Sequence, residues 1–135
     1  EGHALAHTLG SLYHVPHGLG CAIALPYTME YNMGHCMKKL SLAAAALGQN
    51  IDGMSVREGA MTAIKAVAQL IADVGLPTTW APFGQKEDIP KVVEMMTDCP
   101  WITAFYGWAK RKMTKEAATE LVTRSYEGSI GKGIF

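Results

Sequence analysis

The sequence predicts an all-α fold, and three observations carry that prediction. Apolar residues recur at helical spacing in one segment after another, and Gly and Pro residues punctuate those segments at helix-length intervals. Nowhere do roughly four to eight residues alternate apolar and polar between turn signals, as a half-buried strand requires. At 135 residues, 49% hydrophobic and 18% charged, the chain is long enough to bury one core, so it reads as a single domain over 1–135 and not as a disordered polypeptide.

Each element has its own reason. Residues 3–13 place Ala4, Leu5, Leu9 and Leu12 in helical register, and the pattern stops before Pro16, whose ring steers Val15 out of the α region. Gly18 to Met33 is apolar and too long for a strand, with Pro26 inside it, which predicts a buried helix kinked at the proline. An Ala-rich third helix over 35–47 holds Leu40, Ala43, Ala44 and Leu47 and closes at Gly48. Ser55 opens the clearest helix, because Glu58 completes a capping box with it. Ala60, Ile64, Val67, Ala68, Ile71 and Val74 then share a face until Gly75 and Pro77 end the helix.

After a loop with Trp80, Pro82 and Gly84, Asp88 is placed to cap a helix that has Pro90 in its first turn and Val92, Val93 and Met96 turned inward. Thr114 caps a last helix bearing Ala117, Ala118, Leu121 and Val122. The total is six or seven helices, with no internal repeat and no low-complexity linker. Gly128-Ser129-Ile130-Gly131-Lys132-Gly133 superficially resembles a phosphate loop but lacks the G-x-x-x-x-G-K-[ST] spacing and a following helix, and a flexible tail is expected over 128–135.

Twelve basic against twelve acidic residues give no net charge, which excludes a general field for nucleic acid or an anionic membrane. No run approaches the roughly 18 apolar residues of a membrane span, and no basic-then-apolar leader opens the chain. Three cysteines without a C-x-x-C pair indicate neither a disulfide framework nor a cysteine zinc site, and fit a reducing, cytoplasmic setting. The chain begins on Glu-Gly-His with residues that already read as helix interior, so it is expected to be a piece of something longer. The helices from His3 to Met33 are accordingly expected to expose an apolar face that a missing domain covers.

The chemistry lies in the histidines. Four of the five, His3, His7, His14 and His17, fall within the first seventeen residues. His3 and His7 are four apart on a helix and face the same way, which nominates both as metal ligands on spacing alone. No acidic residue follows His3 in an H-E-x-x-H arrangement, so the metalloprotease form of the motif is absent. His17 lies beyond Pro16, where the chain reverses enough to return its ring toward His3. Against this stands the plainer reading of such a pair as a polar face or a satisfied core pair.

The segment Gly2-His3-Ala4-Leu5-Ala6-His7-Thr8-Leu9-Gly10-Ser11-Leu12-Tyr13-His14-Val15-Pro16-His17-Gly18, continued by Ala22-Ile23-Ala24-Leu25-Pro26-Tyr27-Thr28-Met29-Glu30-Tyr31-Asn32, resembles the second-domain motif of the iron-containing alcohol dehydrogenases. Ala45-Ala46-Leu47-Gly48, Val74-Gly75-Leu76-Pro77 and Glu87-Asp88-Ile89-Pro90 follow in that family's order, and the likeness extends to about Thr97. It implies the helical C-terminal domain of a dehydroquinate synthase-like, two-domain enzyme, without its N-terminal α/β nucleotide-binding domain. The parent would interconvert primary alcohols and aldehydes with NAD(H) or NADP(H) and a divalent metal, iron(II) or zinc. Glycerol- and propanediol-type dehydrogenases belong to the same superfamily, and a non-catalytic helical module with structural histidines is the reading from another class.

By that resemblance His3 and His17 match two metal ligands, while the other two, an Asp and a His four residues apart, lie on a helix upstream of this chain. His7 matches a histidine beside the nicotinamide and substrate, which makes it the catalytic and cofactor-side residue and overrules the i,i+4 ligand pair. His14 matches no functional position and is expected at the surface or behind the site. The resemblance also implies an alcohol or aldehyde as small-molecule partner, the missing N-terminal domain as a protein partner, and a homo-oligomer. Two features depart from it: Thr8 stands where many relatives have Pro, and 98–111 replaces an Asn-Pro-Arg-type segment.

Other residues are weighed similarly. Trp101, Phe105, Tyr106 and Trp108 could line a substrate pocket, but aromatics at such spacing are more often core. Lys110, Arg111 and Lys112 read as the solvated start of a helix before they read as phosphate contacts. Cys21 and Cys36 could ligate a soft metal, although small thiols on apolar helices need no such role.

Overall fold

The computed structural model describes residues 1–108 and 111–131, without the side chains of Phe105 and Trp108, so the expectations for those two rings and for Lys110 lie outside the described residues. Its helices are α1 (Gly2–Tyr13), α2 (His17–Ala46), α3 (Val56–Asp73), α4 (Ile89–Asp98), the single turn α5 (Pro100–Thr103) and α6 (Lys115–Glu127), with 3-10 turns at Lys86–Asp88 and Ala104–Trp108. Among the described residues there is no strand, and the fold is all-α as the periodicity predicts.

The main core lies between α1, the first half of α2, α4 and α6, around Leu5, Leu9, Ile23, Trp80, Met96 and Leu121. Its large aromatics bury their rings while satisfying their polar ends. Trp80 Nε1 donates to the Val122 carbonyl at 3.1 Å, Tyr27 Oη to Thr78 O at 2.9 Å and Tyr31 Oη to Lys112 O at 2.9 Å. Further along α2, Met33 packs on Ala60 and Ile64 of α3 in a smaller cluster. A buried ion pair joins α2 to α6, with Arg124 Nη2 donating to Glu30 Oε1 at 2.9 Å.

The helix starts follow local chemistry. Ser55 Oγ accepts the Glu58 N–H while the Glu58 carboxylate accepts the Ser55 N–H, and Thr114 Oγ1 accepts the Ala117 N–H. Asp88 departs from expectation. Its carboxylate accepts the Gln85 N–H at 2.9 Å and so closes the 3-10 turn before α4, because that turn already occupies the ground where a cap would sit.

Four further expectations are corrected. The two helices read as 18–33 and 35–47 run on as α2 and are parted by a kink at Cys36 (φ −141°, ψ 20°), so the break falls where the two spans meet and not at Pro26, where a kink was expected. Pro26 forfeits one backbone hydrogen bond, but Ile23, Ala24 and Tyr27 around it have no solvent exposure, and that packing outweighs the local penalty. At the break, the Cys36 thiol donates to the Asn32 carbonyl. Residues 128–131 of the expected flexible tail are tied down: Arg124 Nε donates to Ser129 O, and the Gly131 N–H points at both oxygens of Glu30. Residues 132–135 of that tail lie outside the described residues.

The apolar face of α1 and early α2 is turned into the domain's own core, with only Leu25 of its large apolar side chains markedly exposed. Arg111 does not open a solvated helix; its guanidinium lies over the Tyr31 ring, 4.2 Å from the centroid, and donates to Tyr31 O at 3.1 Å.

Candidate metal centre

The site is built by the reversal between α1 and α2. α1 ends at Tyr13 because His14 adopts a left-handed conformation (φ 55°, ψ 28°) and returns its N–H to Gly10 O. That conformation costs a non-glycine residue roughly 1–2 kcal/mol, and here it directs the chain through buried Val15 into Pro16, whose φ of −54° starts α2 at His17. The two helices then lie close, with Gly2 facing Ala24 and Thr28, and Gly20 facing Ala6. His14 itself is exposed, with no part in the cluster.

The reversal brings three imidazoles together at the surface. The His3 and His17 ring centroids are 5.3 Å apart, His7 and His17 4.7 Å, and His3 and His7 6.3 Å. His3 and His17 are exposed and His7 is half-buried. Burial pulls the His7 pKa below the ordinary histidine value, and charge on His17 and His3 lowers it further. Three cationic rings at these distances repel one another, whereas neutral imidazoles present lone pairs to a shared ion.

Among the described residues, one group places at least three donor atoms within 4.8 Å of one another: His3, His17 and Cys21. His7 is outside it. Cys21 stands one turn after His17, with its Sγ 3.5 Å from His17 Nε2, and burial raises its thiol pKa. Two imidazoles and a thiol at this spacing suit a borderline-soft divalent ion such as iron(II) or zinc, so the residues present fit a metal.

His7 has a neighbour that spacing does not foretell. Trp101, 52% exposed at the start of α5, lies edge-to-face with the His7 ring, the centroids 5.1 Å apart and the interplanar angle 73°. The preference for packing among the aromatics therefore fails for Trp101 and suits Tyr106, which is partly buried and donates to Met96 O. No local signal marks Trp101, because its partner lies more than ninety positions earlier. Cys21 did carry a signal, the same i,i+4 spacing that couples His3 to His7.

Residues 2–126 match the Fe-containing alcohol dehydrogenase family, C-terminal, and the chain belongs to that family. It is similar to the 1,3-propanediol dehydrogenase of Citrobacter freundii, 43% identical over 94 residues, which is 69% of this chain and 24% of that protein. It is also similar to the lactaldehyde reductase of Escherichia coli (strain K12), 39% identical over 120 residues, 88% of this chain and 30% of that protein. The solved structure of a 1,3-propanediol oxidoreductase superposes with a TM-score of 0.76 at 31% identity, over 92% of this chain and 32% of the other. The chain thus spans about a quarter to a third of the length of these relatives.

Proposed function

We propose that this chain is the helical, metal-binding part of an NAD(P)-linked alcohol dehydrogenase that interconverts primary alcohols and aldehydes by hydride transfer. The convergence of His3, His7 and His17 at one exposed end of a domain belonging to this family is the observation that supports it. His3 and His17 hold the metal, iron(II) or zinc, together with an Asp and a His from a helix outside the chain. NAD(H) or NADP(H) is bound mainly by a nucleotide-binding domain that is likewise outside it. We further take the parent to be a cytoplasmic homo-oligomer; no helix among the described residues is long and apolar enough to cross a membrane.

When bound, the metal supplies Lewis acidity toward the alcohol or carbonyl oxygen. The chain's own contribution is to position groups and move a proton. His7 lies outside the donor group, so its imidazole is left to accept the alcohol proton and pass it toward solvent. Trp101 packs edge-to-face with that ring and takes up part of its surface.

The test is metal analysis of the full-length protein with NAD-linked turnover before and after chelation. Stoichiometric iron or zinc, with activity lost on chelation and restored by the metal, is expected. Full activity without metal would return the histidines to a structural role. A propanediol-type substrate is the second reading, favoured by the 43% identity to a 1,3-propanediol dehydrogenase, and a panel of diols and simple alcohols separates the two.

A further inference from the structure

His17 and Cys21 occupy successive turns of one face of α2, and their nearest atoms, Nε2 and Sγ, are 3.5 Å apart. His3 reaches the same point from α1, so that donor atoms of all three residues lie within 4.8 Å of one another. A tetrahedral ion with a metal–sulfur bond of about 2.3 Å and a metal–nitrogen bond of about 2.05 Å holds those two donors about 3.6 Å apart. The separation between Cys21 and His17 is thus already the edge of such a polyhedron.

The same distance also suits a weak thiol-to-imidazole hydrogen bond, and the two arrangements compete for one lone pair. Nε2 of His17 cannot accept the Cys21 proton and bind an ion at once. Nothing else in the surroundings calls for a thiol here: Cys21 is half-buried at the edge of the histidine cluster, not inside the apolar core.

We propose that Cys21 is a metal ligand, contributing a thiolate as a third donor from this chain beside His3 and His17. As the sulfur–metal bond forms, the thiol proton passes to solvent. A sulfur donor shifts the site toward thiophilic ions such as zinc and cobalt(II) and away from magnesium and manganese. In the chain alone, three donors leave one tetrahedral position open; in the full-length enzyme, with the Asp and the His from outside the chain, Cys21 makes a fifth protein donor, a coordination number such ions can reach. The proposal rests on the reading of His3 and His17 as ligands.

Cobalt(II) titrated into the reduced 135-residue chain tests both. Wild type is expected to show tetrahedral d–d bands and a thiolate-to-cobalt charge-transfer band in the near ultraviolet. Cys21→Ser should abolish the charge-transfer band and weaken cobalt binding about tenfold or more, with helicity by circular dichroism unchanged, while Cys36→Ser leaves the spectrum as it was. The wild-type spectrum needs no variant to fold. Cobalt bound without a charge-transfer band, or a band that survives Cys21→Ser, overturns the thiolate ligand while leaving the histidine reading intact. Failure of wild type to bind cobalt also overturns the three-donor site. Retention of the full d–d spectrum in His17→Ala instead overturns the histidine reading itself.

Discussion

A β-carbon on Gly20 would stand 3.0 Å from the Ala6 Cα and 3.1 Å from its Cβ, so α1 and α2 meet with backbone nearly against backbone. The contact lies three residues after His17 in α2 and three after His3 in α1. Gly20→Ala is expected to force the helices apart and destabilise the domain by about 1–3 kcal/mol, read as a lower midpoint in urea. It should weaken metal binding as well, because the two histidines separate together with their helices. Gly18→Ala, where an added β-carbon meets nothing within 4 Å, is the control and should leave both readouts near wild type.

The histidines should divide their labour. In the full-length enzyme, His3→Ala or His17→Ala is expected to strip the metal and the activity together. His7→Ala should leave metal content near wild type and lower kcat roughly 10²-fold or more, with the pH profile altered in the range where a histidine titrates. Loss of metal from His7→Ala with retention in His17→Ala would show that the i,i+4 pair is the ligand set. Since the Asp and His ligands and the nucleotide-binding residues of the proposed enzyme lie outside this chain, the purified 135-residue chain should show no NAD-linked turnover.

Glu30 is the buried partner of Arg124 between α2 and α6 and also accepts the Gly131 N–H, while the more exposed Glu120 carboxylate stands 3.8 Å from the other side of the guanidinium. Glu30→Ala leaves the Arg124 guanidinium, whose side chain is 8% exposed, without that carboxylate, and a loss of about 3–5 kcal/mol is expected in equilibrium unfolding. Glu30→Gln keeps an acceptor oxygen at the same place and should lose less. Equal losses in the two variants would mean that charge, not hydrogen bonding, holds the junction.

Alkaline stability should depend on Tyr27. Burial pushes its phenol up to about 12; the Glu30 charge adds to this and the Arg124 charge opposes it. Folding therefore favours the neutral phenol, whose contribution is complete below its ordinary pKa near 10 and is lost as pH rises from there through about 12. Tyr27→Phe should make stability fall less steeply across that window, at the expense of the hydrogen bond to Thr78 O at neutral pH. An unchanged slope between wild type and variant would reject this assignment.

What could be read ahead of the structure was local. The capping partners Ser55 and Glu58, the Thr114 cap and the stop at Gly75 each depend on residues within one turn, and each is where the spacing puts it. The approach of His17 to His3 was legible because one helix had to end before Pro16 and the next could begin directly after it, whereas the left-handed His14 that turns the chain carried no such mark. Pro26 misled, since a rule about backbone hydrogen bonds says nothing of how tightly neighbouring side chains are enclosed. Trp101 beside His7, Arg111 on Tyr31 and Arg124 with Glu30 join residues eighty or more positions apart, and neither partner bears a mark of the other.

All the donors that this chain brings to the cluster come from positions 3 to 21, whereas the ring that flanks His7 comes from position 101. Contacts so close in sequence cost little loop entropy and form early, while distant ones wait for the whole chain to condense. The cluster is therefore a hairpin property, and the shelter over His7 is a property of the finished domain. On this division, local opening on the α4–α6 side is expected to uncover the His7 ring before His3, His17 and Cys21 separate.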